Sequence, residues 1–133
     1  MDKIEGIFKA ALAAVLTLGA FLFGKWEGLM LALIGFIVFD YITGVIVAVV
    51  NKELSSEIGA KGIAKKFLML LIVAVANIVD VNVIGEGSAL KTVAILFYIT
   101  NECISIIENA ALLGVPVPEK LVDVLKQLKD KEG

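Results

Sequence analysis

Four long apolar segments occupy most of this 133-residue chain and constrain its fold more than any other feature. Residues 10–24 carry no charge, and residues 28–50 and 67–84 carry one charge each. Residues 88–115 are apolar overall but contain three charged side chains. Because a helix of about 20 apolar residues crosses the hydrocarbon core of a bilayer, the first three segments predict transmembrane helices directly. The fourth segment does not predict a transmembrane helix directly, because of its three charged side chains.

The composition excludes several classes of function. Hydrophobic residues make up 59% of the chain, against about 45–50% in soluble domains, so a soluble enzyme is not expected. A net charge of -2 without a basic tract argues against a nucleic-acid partner. Histidine is absent and Cys103 is the single cysteine, which removes imidazole metal sites, histidine-dependent triads and intrachain disulfides. We therefore predict no catalytic, metal-binding or cofactor-binding residues, and no enzyme activity.

The distribution of lysines favours four crossings. With four spans, the N-terminus, residues 51–66 and the C-terminal tail share one side of the membrane and hold ten of the 12 lysines. By the positive-inside rule that side is the cytoplasm. The lysines thus predict a multi-pass protein of a bacterial cytoplasmic membrane with both termini inside. Were the fourth segment not to cross, the last four lysines would lie outside unless another segment also failed to cross.

Insertion energy opposes this conclusion for the fourth segment. Its apolar side chains contribute roughly -3 to -7 kcal/mol, whereas Glu102 and Glu108 together cost roughly +5 to +7 kcal/mol. The helix is therefore marginal by itself and needs protein or water against its polar side. Three spans remain the alternative to four.

The C-terminal residues predict a short amphipathic helix. Apolar side chains recur there at helical spacing after Pro118, which suits a first helical turn; they are Leu121, Val124, Leu125 and Leu128. The expected fold is therefore all-α: a small polytopic membrane protein with four, or three, transmembrane helices and a short C-terminal amphipathic helix. We divide it into one transmembrane helical domain, residues 1–115, and a cytoplasmic amphipathic tail, residues 116–133.

Polar side chains inside the apolar segments are the candidate functional residues. In the fourth segment they fall within an arc of about 120° on one helix face. That face either packs inward or lies flat at the interface, or it lines a water-filled path once several copies assemble. In the second segment, Asp40 either accepts hydrogen bonds within the monomer or acts between subunits. In the third segment, Asp80 is most simply a helix cap. The candidate pore-lining or assembly residues are Asp40, Thr43, Gly44, Asp80, Asn101, Glu102, Ser105, Glu108 and Asn109.

Residues 51–66 form the most polar internal stretch. Ser55 and Ser56 are candidate helix N-caps. Lys61, Lys65 and Lys66 are candidate contacts to anionic lipid headgroups.

Two blocks of sequence recur in a known order and separation. The first is Asp-Tyr-Ile-Thr-Gly at 40–44 followed by Asn-Lys-Glu-Leu-Ser-Ser at 51–56. The second is Asn-Glu-Cys-Ile-Ser-Ile-Ile-Glu-Asn at 101–109 followed by Leu-Gly-Val-Pro-Val-Pro at 113–118. Together they resemble the phage-lysis and toxin-secretion holin family of the clostridial and bacillus type, and the resemblance runs roughly from residue 30 to residue 128.

The resemblance implies a homo-oligomeric, pore-forming protein of the host cytoplasmic membrane. Such proteins open lesions through which an endolysin, without necessarily touching the holin, reaches the cell wall and causes host cell lysis; relatives are implicated in toxin secretion. Its partners would be other copies of itself and the lipid bilayer. A small transporter or ion-channel subunit, and an antiholin, are the alternative functions.

Overall fold

The computed structural model describes residues 2–132, and every regular element within that range is a helix. Four helices are long and apolar enough to cross a bilayer, as the sequence predicts. They are α1 (Asp2–Phe23), α2 (Gly28–Val50), α3 (Ser56–Ile78, continued by a π-helical segment at Val79–Ile84) and α4 (Ala89–Leu112). A shorter helix, α5 (Glu119–Glu132), follows. Met1 and Gly133, the last residue of the predicted tail, lie outside the described residues.

The predicted helix boundaries hold well for α2 and fail at the start of α3. Helix α2 covers the predicted residues 28–50. Ser55 is the N-cap of α3, because its hydroxyl accepts a hydrogen bond from the Ile58 amide at 3.1 Å. The sequence predicts the third apolar segment from residue 67, but α3 begins at Ser56, since only residues 51–55 connect α2 to α3. The polar stretch 56–66 is helical because Ser55 caps its first turn and because the Lys66 ammonium pairs with carboxylates on other helices.

Helices α2, α3 and α4 form the packed part of the molecule. Helix α4 lies against both α2 and α3, and α5 packs back on α4 with Leu125 buried. The core between the three long helices contains five buried side chains, Met30, Leu33, Ile37, Val73 and Ile95. Large apolar side chains elsewhere face outward along every long helix, which is the arrangement expected where lipid covers the surface.

Helix α1 is attached to this bundle near one end. None of its residues is buried, and among the described helices it packs mainly on α3, with one hydrogen bond from Lys91 on α4 to its last carbonyl. Residues 2–18 are all exposed, whereas Leu22 and Phe23 are partly buried. Helix α1 is therefore unpacked along most of its length and is held to α3 and α4 near its C-terminus.

Candidate functional site

Three charged side chains from three helices meet inside the bundle, and we call them the ion cluster. The Lys66 ammonium on α3 lies 2.7 Å from Asp40 Oδ2 on α2 and 2.6 Å from Glu102 Oε2 on α4. The three side chains retain only 17%, 11% and 8% of their exposure, respectively. With one ammonium and two carboxylates, the ion cluster has a formal charge of one negative unit.

The ion cluster lies near the middle of the expected membrane thickness. Asp40 and Glu102 each precede the end of their helix by ten residues, and Lys66 follows the start of α3 by ten residues. At about 1.5 Å per residue, each is about 15 Å from a helix end, half of a hydrocarbon core of about 30 Å. An isolated charge at this depth is costly, so mutual pairing is the condition under which all three can stay.

Uncharged polar side chains complete the coordination of Asp40. The Asn109 amide donates to Asp40 Oδ1 at 3.2 Å and to Thr43 Oγ1 at 2.9 Å, and Thr43 Oγ1 donates to the Asp40 carbonyl at 3.0 Å. Gly44 lies next to Asn109. A Cβ at position 44 would lie 3.8 Å from Asn109 Nδ2, at ordinary van der Waals distance. Among the described residues, every buried side-chain nitrogen or oxygen has a hydrogen-bond partner, as a stable buried polar network requires.

A cavity of about 420 Å³ leads from the 51–55 connection to the ion cluster, and we call it the loop cavity. Glu53 and Ser55 lie at its entrance, while Ser105 and the ion cluster line its deep end. Apolar side chains such as Val45 and Met69 form part of its walls. The cavity gives the charged groups a route to one side of the membrane.

At the opposite end of the bundle, Asn77 and Lys91 bind the C-terminus of α1. The Asn77 amide donates to the Phe21 and Leu22 carbonyls at 3.1 and 3.0 Å, and the Lys91 ammonium donates to the Phe23 carbonyl. The last carbonyls of a helix have no partner within the helix, and a cation there is favoured by the helix dipole. These two side chains account for the attachment of α1.

Asp80 caps the start of α4. Its two carboxylate oxygens accept hydrogen bonds from the backbone amides of Leu90 and Lys91 at 3.1 and 2.8 Å. A carboxylate at a helix N-terminus satisfies free amides and complements the dipole. The cap is therefore on the next helix along the chain rather than on the helix that carries Asp80.

The structure brings together six of the nine candidate pore-lining or assembly residues, all of which line the loop cavity or bond the ion cluster. They are Asp40, Thr43, Gly44, Glu102, Ser105 and Asn109. Asp80 lies at the other end of the bundle, Asn101 is half-buried away from the loop cavity, and Glu108 is exposed. Among the described residues, no group of three or more His, Cys, Asp or Glu side chains could hold a metal ion.

The three lysines predicted to contact headgroups are placed differently from one another. Lys61 and Lys65 are exposed near the start of α3, whereas the Lys66 ammonium points into the ion cluster. The sequence pattern groups Lys66 with the headgroup lysines and does not identify it as the partner of the intramembrane acids. A usable signal was present, because a helix that begins at the Ser55 cap carries Lys66 three turns into the membrane.

The helical architecture and its intramembrane ion cluster define a small all-α polytopic membrane protein. A family model described as "Bacteriophage holin family" matches residues 17–130 of the chain. The chain belongs to that family, as the resemblance of its two sequence blocks implied.

Several curated relatives cover nearly the whole chain. An uncharacterized 14.9 kDa protein of Clostridium perfringens is 44% identical over 133 residues, covering 99% of this chain and 100% of its own. A protein of Halalkalibacterium halodurans is 35% identical over 134 residues, covering 98% of this chain and 99% of its own. A protein of Bacillus phage phi105 named "Probable holin" is 42% identical over 106 residues, covering 80% of this chain and 77% of its own. No solved structure matches the chain.

Proposed function

We propose that this protein is a holin that oligomerises in the bacterial cytoplasmic membrane and opens lesions large enough to release an endolysin. Membership of the holin family and the likeness to a phage protein named "Probable holin" support this function. The endolysin passes through the lesion and needs no direct contact with the holin. Export of a toxin through the same lesion is the corresponding role outside phage infection.

The observation that carries the proposal is a charged cluster held closed at the middle of the membrane by contacts within one chain. Asp40, Lys66 and Glu102 neutralise one another only in part, because two carboxylates face one ammonium. An unpaired carboxylate at the centre of a bilayer costs about 2.5–3.5 kcal/mol on the insertion scale. Separation of α2, α3 and α4 in an assembly would return these groups to water, so hydration favours the open state.

The surface of the monomer suits this sequence of events. Apolar side chains cover the lipid-facing sides of the long helices, so single copies are stable in the bilayer. We propose that Asp40, Thr43, Gly44, Glu102, Ser105 and Asn109 move from the interior of the monomer to the wall of the lesion. Lys61, which is exposed near the start of α3, binds anionic headgroups on the cytoplasmic side. Lys65 is one residue from Lys66 and lines the loop cavity, through which it reaches water.

Inducible co-expression with an endolysin in a bacterial host tests the proposal. We expect sudden loss of membrane potential, release of a folded cytoplasmic reporter protein, and lysis. Each event should require the holin and should occur only after the holin has accumulated in the membrane. Depolarisation without passage of folded protein would contradict it and favour a channel or transporter. Delayed lysis by a second holin, with no lysis by this chain alone, would instead identify an antiholin.

The proposed orientation has a separate test. We place both termini in the cytoplasm, with residues 1–115 as the membrane domain and 116–133 as the tail. In a Cys103→Ser background, Lys126→Cys should resist a membrane-impermeant maleimide in intact cells and react after permeabilisation. Labelling of intact cells before lysis would contradict the four-span orientation.

A further inference from the structure

A second cavity lies at the end of the bundle opposite the loop cavity, and we call it the opposite cavity. Its volume is about 500 Å³, and it is lined by residues of the 24–27 connection, by Asn77 on α3 and by Lys91 and Thr92 on α4. Both cavities are bounded by α2, α3 and α4. The same three helices therefore border one recess near each end of the bundle.

A short apolar layer separates the two cavities. It contains Leu33, Ile37 and Val73, which retain 0%, 8% and 0% of their exposure. On α4 the opposite cavity reaches Ile95 and the loop cavity reaches Glu102, a difference of seven residues or about 10 Å of helix. On α2 the corresponding residues are Met30 and Asp40, about 15 Å apart. The dry layer is thus one third to one half of a bilayer core of about 30 Å.

The charges in the two cavities differ. The deep end of the loop cavity carries the ion cluster, with one carboxylate in excess of its ammonium. In the opposite cavity, the Lys91 ammonium is a charged lining group, and it donates to the Phe23 and Lys25 carbonyls. The backbone amide of Lys91 donates to the Asp80 carboxylate. Carboxylates at a narrow point favour cations over anions. Selection would therefore occur on the loop-cavity side of the dry layer.

We propose that α2, α3 and α4 of a single copy form an hourglass-shaped path for small monovalent cations, closed by the apolar layer around Leu33 and Val73. Water enters the loop cavity from one side and the opposite cavity from the other. The apolar layer blocks ions because a narrow hydrophobic constriction excludes water. Asp40 and Glu102 select for cations. This path is distinct from the large lesion, because it lies within one copy and needs no assembly.

A polar substitution in the apolar layer tests the path. The purified full-length protein is reconstituted at low protein-to-lipid ratio in vesicles that contain a potassium-sensitive dye, a chloride-sensitive dye or calcein. Leu33→Ser should raise potassium flux at least about tenfold over wild type, because a hydrated constriction conducts. Chloride flux should change little, and calcein should be retained. The matched control is Leu31→Ser, which introduces the same change on the same helix at a side chain that is 56% exposed.

Three outcomes would overturn the inference. They are equal potassium flux in Leu33→Ser and Leu31→Ser, equal flux of potassium and chloride in Leu33→Ser, and release of calcein in parallel with potassium. The last outcome would mean that the flux comes from lesions. Adding Glu102→Gln to Leu33→Ser should lower the preference for potassium over chloride.

Cysteine accessibility provides a second measurement that does not depend on the folding of Leu33→Ser. In a Cys103→Ser background, Ser105→Cys in the loop cavity and Thr92→Cys in the opposite cavity should react with a small charged methanethiosulfonate from opposite sides of the vesicle membrane. Val73→Cys, in the dry layer, should react from neither side. Reaction of Val73→Cys, or failure of either cavity position to react, would contradict the hourglass. A failed lysis assay would leave these results unchanged, so the holin proposal and the cation path can fail separately.

Discussion

Replacement of Lys66 by methionine should shorten the time to lysis. Methionine keeps the unbranched shape of the lysine stem but removes the only ammonium of the ion cluster. Asp40 and Glu102 then remain close together between α2 and α4 without a counter-charge. Removing one partner of a buried ion pair destabilises a protein by about 3–5 kcal/mol.

The lower end of that range applies here, since the Lys66 side chain is still 17% exposed to the loop cavity. A change of about 3 kcal/mol shifts an equilibrium by about 100-fold. If the ion cluster holds the unassembled state closed, this shift favours the assembled state and the hole opens at a lower protein density. Membrane insertion is expected to persist, because α2 and α3 each remain long and apolar enough to cross a bilayer.

The assay is time to lysis after induction with an endolysin, compared at equal amounts of membrane-inserted holin measured by immunoblot. Lys65→Met is the matched control, because it removes an adjacent but exposed ammonium. The triple variant Lys66→Met, Asp40→Asn, Glu102→Gln removes all formal charge and should delay lysis relative to Lys66→Met. Identical timing for Lys66→Met and Lys65→Met would refute the role given to the ion cluster.

Three further substitutions give independent expectations. Glu102→Gln leaves one carboxylate for the one ammonium and relieves about 2.5–3.5 kcal/mol of insertion cost, so lysis should come later while the amount of inserted protein is unchanged or higher. Asn77→Ala removes both hydrogen bonds to the α1 carbonyls, each worth about 0.5–1.5 kcal/mol. This substitution should speed protease cleavage in the 24–27 connection in detergent, with Asn101→Ala as the control. Ser55→Ala removes the cap of α3 and should cost about 1 kcal/mol, read as a lower thermal unfolding temperature in detergent than for Ser56→Ala.

The apolar segments were predictable from the sequence because each stretch satisfies the bilayer by itself. The boundaries of α2 at Gly28 and Val50 follow from local composition alone. Six of the nine candidate residues, chosen as polar positions within apolar segments, lie around the ion cluster. On each helix, these residues share one face because they are spaced at about 3.6 residues per turn. That spacing can be read from the sequence of the helix alone.

The partners of those residues were not predictable in the same way. Lys66 bonds acids 26 and 36 positions away in the chain, and the sequence offers other lysines at similar distances. Its neighbour Lys65 has the same residue type and local context, yet is exposed. The difference of one position turns the side chain by about 100° around the helix, and only the packing of α3 on α2 and α4 determines which of the two faces inward. Asp80 illustrates the same limit, because the helix that it caps is decided by the turn after Ile84.

The proposed function requires that the buried polar face of α4 becomes the wall of a wide aqueous lesion. The direct test is labelling of Ser105→Cys, in a Cys103→Ser background, with a maleimide carried on a bulky polymer, before and after the onset of lysis. Leu96→Cys, at an exposed apolar position on the same helix, is the control. Ser105→Cys should be protected from the bulky reagent before lysis and react after it, while Leu96→Cys stays unreactive in lipid. Protection of Ser105→Cys throughout lysis would show that this face of α4 does not line the lesion.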